Sequence, residues 1–129
     1  MALRILLADN HETFRRTFAD FLRTQPGIET VCDVGDGDQA IEQANELTPD
    51  IVFLDLHMPK RNGFEASKAI KRLRANTKVF IVSAEDAEIY KEMAAMNDAD
   101  GYIDKRSVKG SVVDILHSML LRVSVAEAA

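Results

Sequence analysis

Four polar residues each follow a short apolar run in this chain: Asp9 after Arg4-Ile-Leu-Leu-Ala8, Asp55 after Ile51-Val-Phe-Leu54, Ser83 after Val79-Phe-Ile-Val82, and Lys105 shortly after Tyr102-Ile103. If those runs are strands of an open parallel sheet, their carboxyl ends share one edge, where ligands gather at the point at which strand order reverses. Two carboxylates, a hydroxyl and an ammonium then converge. Facing carboxylates repel by about 4 kcal/mol at 4 Å in an effective dielectric near 20, so a cation belongs between them. Mg2+ suits the donors, because it takes oxygen ligands, keeps several waters and is commonly held by one or two carboxylates plus a phosphate. The set reads as a phosphoryl-transfer site. Asp55 is its nucleophile, Mg2+ and Lys105 neutralise phosphoryl oxygens, and Ser83 donates a hydrogen bond.

Strand-like and helix-like stretches alternate from end to end, which favours an α/β sandwich around a parallel sheet. The first helix is predicted from about His11, with Phe14, Phe18, Phe21 and Leu22 on one face, and ends at Pro26-Gly27. A second strand over about 29–34 alternates as an edge strand does, and Gly35-Asp36-Gly37 turns into a helix that places Ala40, Ile41, Ala44 and Leu47 inward. Pro59 and Gly63 punctuate the loop after Asp55. A third helix presents Phe64, Ala66, Ile70 and Leu73, with Arg72 and Arg74 toward water. The fourth helix, predicted from about Asp86 to Met96, has a thin stripe of Ile89, Met93 and Ala94, the mark of a movable element. The last helix, about 108–123, buries Val112, Ile115, Leu116, Met119 and Leu120. Right-handed crossovers with helices on both faces leave a doubly wound five-stranded parallel sheet of order 2-1-3-4-5, a flavodoxin-like three-layer sandwich. Asp9 and Asp55 then lie side by side at the switch point.

A chain of 129 residues supports one core. The domain is read as residues 1–123, with 124–129 a tail or linker stub. No apolar run approaches the roughly 18 residues a membrane span needs, and a first strand beginning at Leu3 leaves no room for a signal peptide. The cytoplasm is the expected compartment. A net charge of −5 argues against direct nucleic-acid contact by this chain. The single cysteine, Cys32, reads as a half-buried strand residue rather than a reactive thiol. No His/Cys cluster supports zinc. The side chains of His11, His57 and His117 read as exposed helix-start, loop and surface groups rather than as ligands.

Taken singly, Asp9 or Asn10 reads equally well as a helix N-cap, Ser83 as another cap and Lys105 as a solvated lysine. Their coincidence at one sheet edge is what argues for a site. The separated motifs Ala-Asp9-Asn10, Leu-Asp55-Leu-His-Met-Pro59 with Gly63 following, Val-Ser83-Ala84 and Tyr102-Ile-Asp-Lys105 resemble, in order and spacing, the receiver domain of two-component response regulators. The resemblance covers about Arg4 to Val123. The Ala-Asp-Asn-His start and Arg15-Arg16 also resemble receivers that precede a helix-turn-helix output domain.

The resemblance implies that Asp55 accepts a phosphoryl group from a histidine kinase or phosphotransfer protein, that Ser83 and Lys105 contact its oxygens, and that the domain acts as a signalling switch rather than as an enzyme beyond its own phosphorylation and dephosphorylation. It implies a Mg2+ site of Asp9, Asn10, Asp55 and the His57 backbone carbonyl. Tyr102 matches an aromatic that swings inward when the hydroxyl residue is drawn to the phosphoryl group, although a plain strand aromatic explains it equally. The fourth helix, fifth strand and fifth helix are the expected readout surface and homodimer face. The departure is Asn10, an amide where most receivers carry a second acid, which predicts weaker Mg2+ binding. The alternative is a degenerate receiver acting as a phosphorylation-independent binding module. An aspartate-nucleophile phosphatase normally carries a second acid where His57 stands, and a flavin carrier needs hydroxyls and glycines where Asp9-Asn10-His-Glu12 is acidic.

Overall fold

A computed structural model describes residues 2–85 and 87–128, with side chains through Arg122. Five strands alternate with five helices: β1 (Leu3–Ala8), α1 (Glu12–Arg23), β2 (Ile28–Val34), α2 (Gly37–Leu47), β3 (Ile51–Asp55), α3 (Gly63–Leu73), β4 (Lys78–Ser83), α4 (Glu88–Met96), β5 (Gly101–Asp104) and α5 (Val108–Ala128), with a 3-10 turn over Lys105–Ser107 before the last helix. All four strand pairings are parallel, and the order is β2-β1-β3-β4-β5, as the alternation predicts. The central strands are apolar at nearly every position because helices cover both faces of the sheet.

Side-chain alternation splits the interior into two cores. Leu3, Ile5, Leu7, Ile51, Phe53, Val82 and Ile103 pack with α1 and α5, whereas Leu6, Ala8, Val52, Leu54, Val79 and Ile81 pack with α2, α3 and α4. An aromatic column runs through the first core, with ring centroids 5.7 Å apart for Phe14–Phe18, 5.4 Å for Phe18–Phe53 and 5.9 Å for Phe53–Phe80. Cys32 is half-buried on β2 as expected, and burial pushes its thiol pKa up.

Three helix-face expectations need correction. On α4 it is Ala94 that is buried and Tyr90 that packs inward, stacked on Phe64, while Ile89 and Met93 face out at 57% and 36% exposure. One large ring fills the space that aliphatic groups were expected to fill, which turns their stripe outward. Leu73, at the last position of α3, is exposed, since the helix ends before that turn reaches the core. Arg74 is half-buried rather than solvated, because its guanidinium donates to the Asn45 carbonyl at 2.8 Å and so satisfies the end of α2. The backbone of α5 continues to Ala128, past the expected end near Val123, so residues 124–128 are helical. The side chains of that stretch, Ala129, and the expected α4 start at Asp86 lie outside the described residues.

The loop after β3 is held against the sheet edge. Leu56 N–H donates to the Val82 carbonyl at 3.2 Å and Gly63 N–H to the Leu56 carbonyl at 2.9 Å. Asn62 and Glu65 form a reciprocal capping box that starts α3. A Cβ at Gly63 would stand 2.6 Å from the Asp55 carbonyl oxygen and 3.0 Å from Leu56 Cα. Backbone atoms cannot yield as a flexible side chain would. Gly63→Ala should therefore cost about 1–3 kcal/mol through overpacking and displace the end of β3, read as a lower denaturant midpoint with an unchanged m-value.

Candidate functional site

Register places the reactive groups. Ala8 pairs with Leu54, so the residues that follow, Asp9 and Asp55, stand on adjacent strands at the carboxyl edge. Both continue the alternation of the α1/α5 side of the sheet, and Lys105 follows Ile103 on that same side. The N-terminus of α1 closes the space above them. Asp9 and Asp55 are 1% and 4% exposed.

Lys105 Nζ lies 2.9 Å from Asp9 Oδ2 and 3.8 Å from Asp55 Oδ1, and it sits 4.3 Å from the centroid of the Phe14 ring. The ring orients and shields the ammonium at the top of the aromatic column. On the opposite side of the carboxylates, His11 Nδ1 lies 3.2 Å from Asp9 Oδ1 and 3.6 Å from Asp55 Oδ2, and the His11 backbone N–H donates to Asp9 Oδ1 at 2.8 Å. Arg15 braces the Asp9 backbone, donating to its carbonyl at 2.9 Å while pairing with Asp33 on β2 at 2.9 Å. An open groove of about 600 Å3 leads in past His11, Phe14, Ala84 and Lys105.

Burial and, next, the neighbouring Asp9 raise the Asp55 pKa to about 6 against the opposing pull of Lys105, His11 and the His57 main chain. Asp55 Oδ2 is buried with no hydrogen-bond partner. One ammonium therefore leaves two buried carboxylates short of positive charge, and an orphaned hard oxygen faces the gap. Those donors fit a divalent cation such as Mg2+, and Asp9, His11 and Asp55 each place a ligand atom within 4.8 Å of the others.

Ser83 and Tyr102 occupy the other side of the edge. Ser83 is buried, and its Oγ accepts from Glu85 N–H at 3.1 Å. Tyr102 Oη donates to the Glu85 carbonyl at 2.6 Å, so both residues hold the main chain of Glu85 in the β4–α4 loop, one at its N–H and one at its carbonyl. The Glu85 carboxylate reaches across to His57 Nε2 at 2.5 Å, and that hydrogen bond, followed by one from Tyr90, lowers the Glu85 pKa. The sheet edge thus assembles Asp9, Asp55 and Lys105 directly, sets Ser83 on the strand beside them, and leaves Asn10 exposed on the rim. Sequence reasoning set His11 aside as an exposed helix start, took Phe14 as a helix-face residue and Arg15 as part of a motif, and gave Glu85 no role. A histidine two residues after Asp9 and an aromatic one helical turn further on were available signals, but only the entry angle of α1 aims them at the carboxylates.

Residues 5–117 match the model of the response regulator receiver domain. The response regulator protein VraR of Staphylococcus saprophyticus is 33% identical over 99% of this chain and 61% of its own length. The transcriptional regulatory protein LiaR of Bacillus subtilis is 33% identical over 90% of this chain and 55% of its own. Among solved structures, a LuxR-family two-component response regulator from Aurantimonas sp. SI85-9A1 superposes with a TM-score of 0.85 at 27% identity, covering 94% of this chain and 86% of that one. The chain spans little more than half the length of the two curated relatives. With the sheet order, the buried carboxylate pair and the family match in agreement, the chain belongs to the response regulator receiver domains of two-component signalling.

Proposed function

We propose that Asp55 is the phosphoacceptor of this receiver and that a histidine kinase or phosphotransfer protein is its donor. The single observation that carries this reading is the buried, under-neutralised Asp55 carboxylate beside Lys105. A carboxylate oxygen of Asp55 attacks phosphorus, an oxygen–phosphorus bond forms, and the bond to the donor atom breaks with its electron pair leaving on the donor. Hydrolysis reverses the modification when water attacks phosphorus and the Asp55 carboxylate departs. Lys105 neutralises charge on the transferring oxygens, and Ser83 donates to one of them. Asp9, Asp55 and the His57 carbonyl would hold Mg2+, with Asn10 at the rim, and the bound ion supplies further charge neutralisation.

The link from Ser83 to Tyr102 supports a switching role for both. Ser83 holds the Glu85 main chain at its N–H and Tyr102 at its carbonyl, so a Ser83 hydroxyl drawn to the phosphoryl group frees one of the two contacts on the residue to which the ring is tied. Carrying a 1:99 mixture to 99:1 takes about 5.5 kcal/mol of differential binding, within reach of several charge-assisted contacts. The readout falls on α4, β5 and α5. The outward Ile89, Met93 and Met96 on α4 support association of this face with a second copy or another protein. By similarity to longer relatives that regulate transcription, a DNA-binding output domain would follow the helical stretch 124–128, and the whole protein would work in the cytoplasm. The binding-module alternative draws only on Asn10 and leaves the buried carboxylate pair without a role.

The test is incubation with Mg2+ and acetyl phosphate, followed by intact mass and sedimentation. One phosphoryl increment mapped to Asp55 is the expected result, and an unmodified chain at saturating metal and donor overturns the reading. Asn10 carries no charge, so Mg2+ affinity should be lower than in a two-acid site, and Asn10→Asp should raise it by about tenfold. Calorimetric titration of the two proteins checks this.

A further inference from the structure

We infer that His11 is a metal ligand, and that with Asp9 and Asp55 it makes a mixed nitrogen–oxygen site selective for imidazole-accepting first-row ions of the Fe2+ to Zn2+ series over Mg2+. The inference rests on the reading of the carboxylate pair as a divalent-cation site, and adds to it a ligand and a class of ion. Lys105 engages Asp9 Oδ2 and Asp55 Oδ1, which leaves Asp9 Oδ1 and Asp55 Oδ2 facing His11. The imidazole Nδ1 stands 3.2 Å and 3.6 Å from those two oxygens. Bonds of about 2.1 Å to nitrogen and oxygen place neighbouring ligands roughly 3.0–3.4 Å apart, so the three atoms match the edges of one coordination shell.

An independent observation points into the same gap. Asp55 is 96% buried, and its Oδ2 has no hydrogen-bond partner, a state that a buried charged oxygen does not keep without some compensating group. The His11 ring is turned toward the carboxylates, with its Nδ1 within hydrogen-bond distance of Asp9 Oδ1 at 3.2 Å, and it does not serve the helix. His11 is the N-cap of α1, yet its side chain makes no capping hydrogen bond, and histidine is not among the residues that cap helices well. Asn10, beside it, is exposed and brings no charge. A neutral imidazole suits first-row transition ions, whereas Mg2+ prefers an all-oxygen shell. Replacing an acid with an amide while a histidine faces the carboxylates therefore shifts the site toward nitrogen-accepting ions.

The test is calorimetric titration of the whole chain with Mg2+, Zn2+ and Co2+ in turn, alongside the visible absorption spectrum of bound Co2+. The parent, His11→Ala and Asp55→Asn are compared. His11 is exposed and removable without opening the core. The expected result is that His11→Ala weakens Co2+ and Zn2+ by about tenfold or more, changes Mg2+ by about twofold or less, and shifts the Co2+ spectrum. Unchanged Co2+ affinity and spectrum in His11→Ala, or an equal loss for Mg2+, overturns the inference. If Asp55→Asn weakens every ion while His11→Ala weakens none, the cation site stands and His11 is not part of it. If neither substitution affects any ion, the cation-site reading fails with it, while phosphoryl uptake measured by intact mass remains a separate result.

Discussion

Asp55→Asn should emerge from incubation with acetyl phosphate and Mg2+ without a phosphoryl increment in mass, and in chelated buffer it should unfold at a higher temperature than the parent. The two effects have one cause. The amide keeps the shape of the carboxylate and removes both its nucleophilic oxygen and a charge that burial and Asp9 disfavour. The folded protein holds the Asp55 proton to a pH of about 6, whereas an ordinary aspartate releases it near 3.8. Between those values the folded state binds more protons than the unfolded chain. The Asp55 contribution to metal-free stability therefore falls as pH climbs from about 4 to about 6, and is level above that. Fully buried, a shift of this size would correspond to about 3 kcal/mol; water reaching the site through the open groove screens it to roughly 1–2 kcal/mol. That is a rise of about 5 °C in melting temperature at neutral pH. Added Mg2+ should raise the melting temperature of the parent and leave that of Asp55→Asn nearly unmoved. A variant that still gained phosphoryl mass, or melted below the parent in chelator, would contradict the assignment.

Lys105→Met should have the opposite effect on stability. The ammonium is the nearest positive charge to Asp9, at 2.9 Å, and it lies over the Phe14 ring. Methionine keeps the stem and deletes the charge, so two buried carboxylates are left facing each other. Removing one partner from a buried ionic cluster costs about 3 kcal/mol. Because this loss is electrostatic, saturating Mg2+ should restore more stability to Lys105→Met than it adds to the parent, and guanidinium titrations with and without metal measure the difference. Phosphoryl uptake should slow by roughly a hundredfold, the scale on which one transition-state charge contact acts. Equal stabilisation of both proteins by Mg2+ would place Lys105 outside the electrostatics of the pair.

The sheet was legible because its strands are buried on both sides, so each reads as an unbroken apolar run ending on a polar residue; order and switch point follow from handedness. The same logic located Asp9, Asp55, Ser83 and Lys105. Helix faces were less legible where one aromatic competes with several aliphatics. On α4, Tyr90 stacked on Phe64 takes the inward position and sends Ile89 and Met93 outward, a choice made by shape and not by hydropathy. The nearness of His11 to the carboxylates was hidden for a related reason. The His11 side chain is 65% exposed, as expected of a helix start, but exposure says nothing of which atom points down into the edge. The Glu85 contacts depend on a loop whose path no periodicity describes.

The division of the interior into two cores has an engineering consequence. Asp9, Asp55 and Lys105 belong to the layer built with α1 and α5, whereas Tyr102 and α4 belong to the other. The central sheet separates Asp9, Asp55 and Lys105 from α4, and Ser83, on the Tyr102 side of the edge, joins the two. On the function proposed above, residues on the outward side of α4 can be rewritten for a new partner while Asp9, Asp55 and Lys105 keep their surroundings.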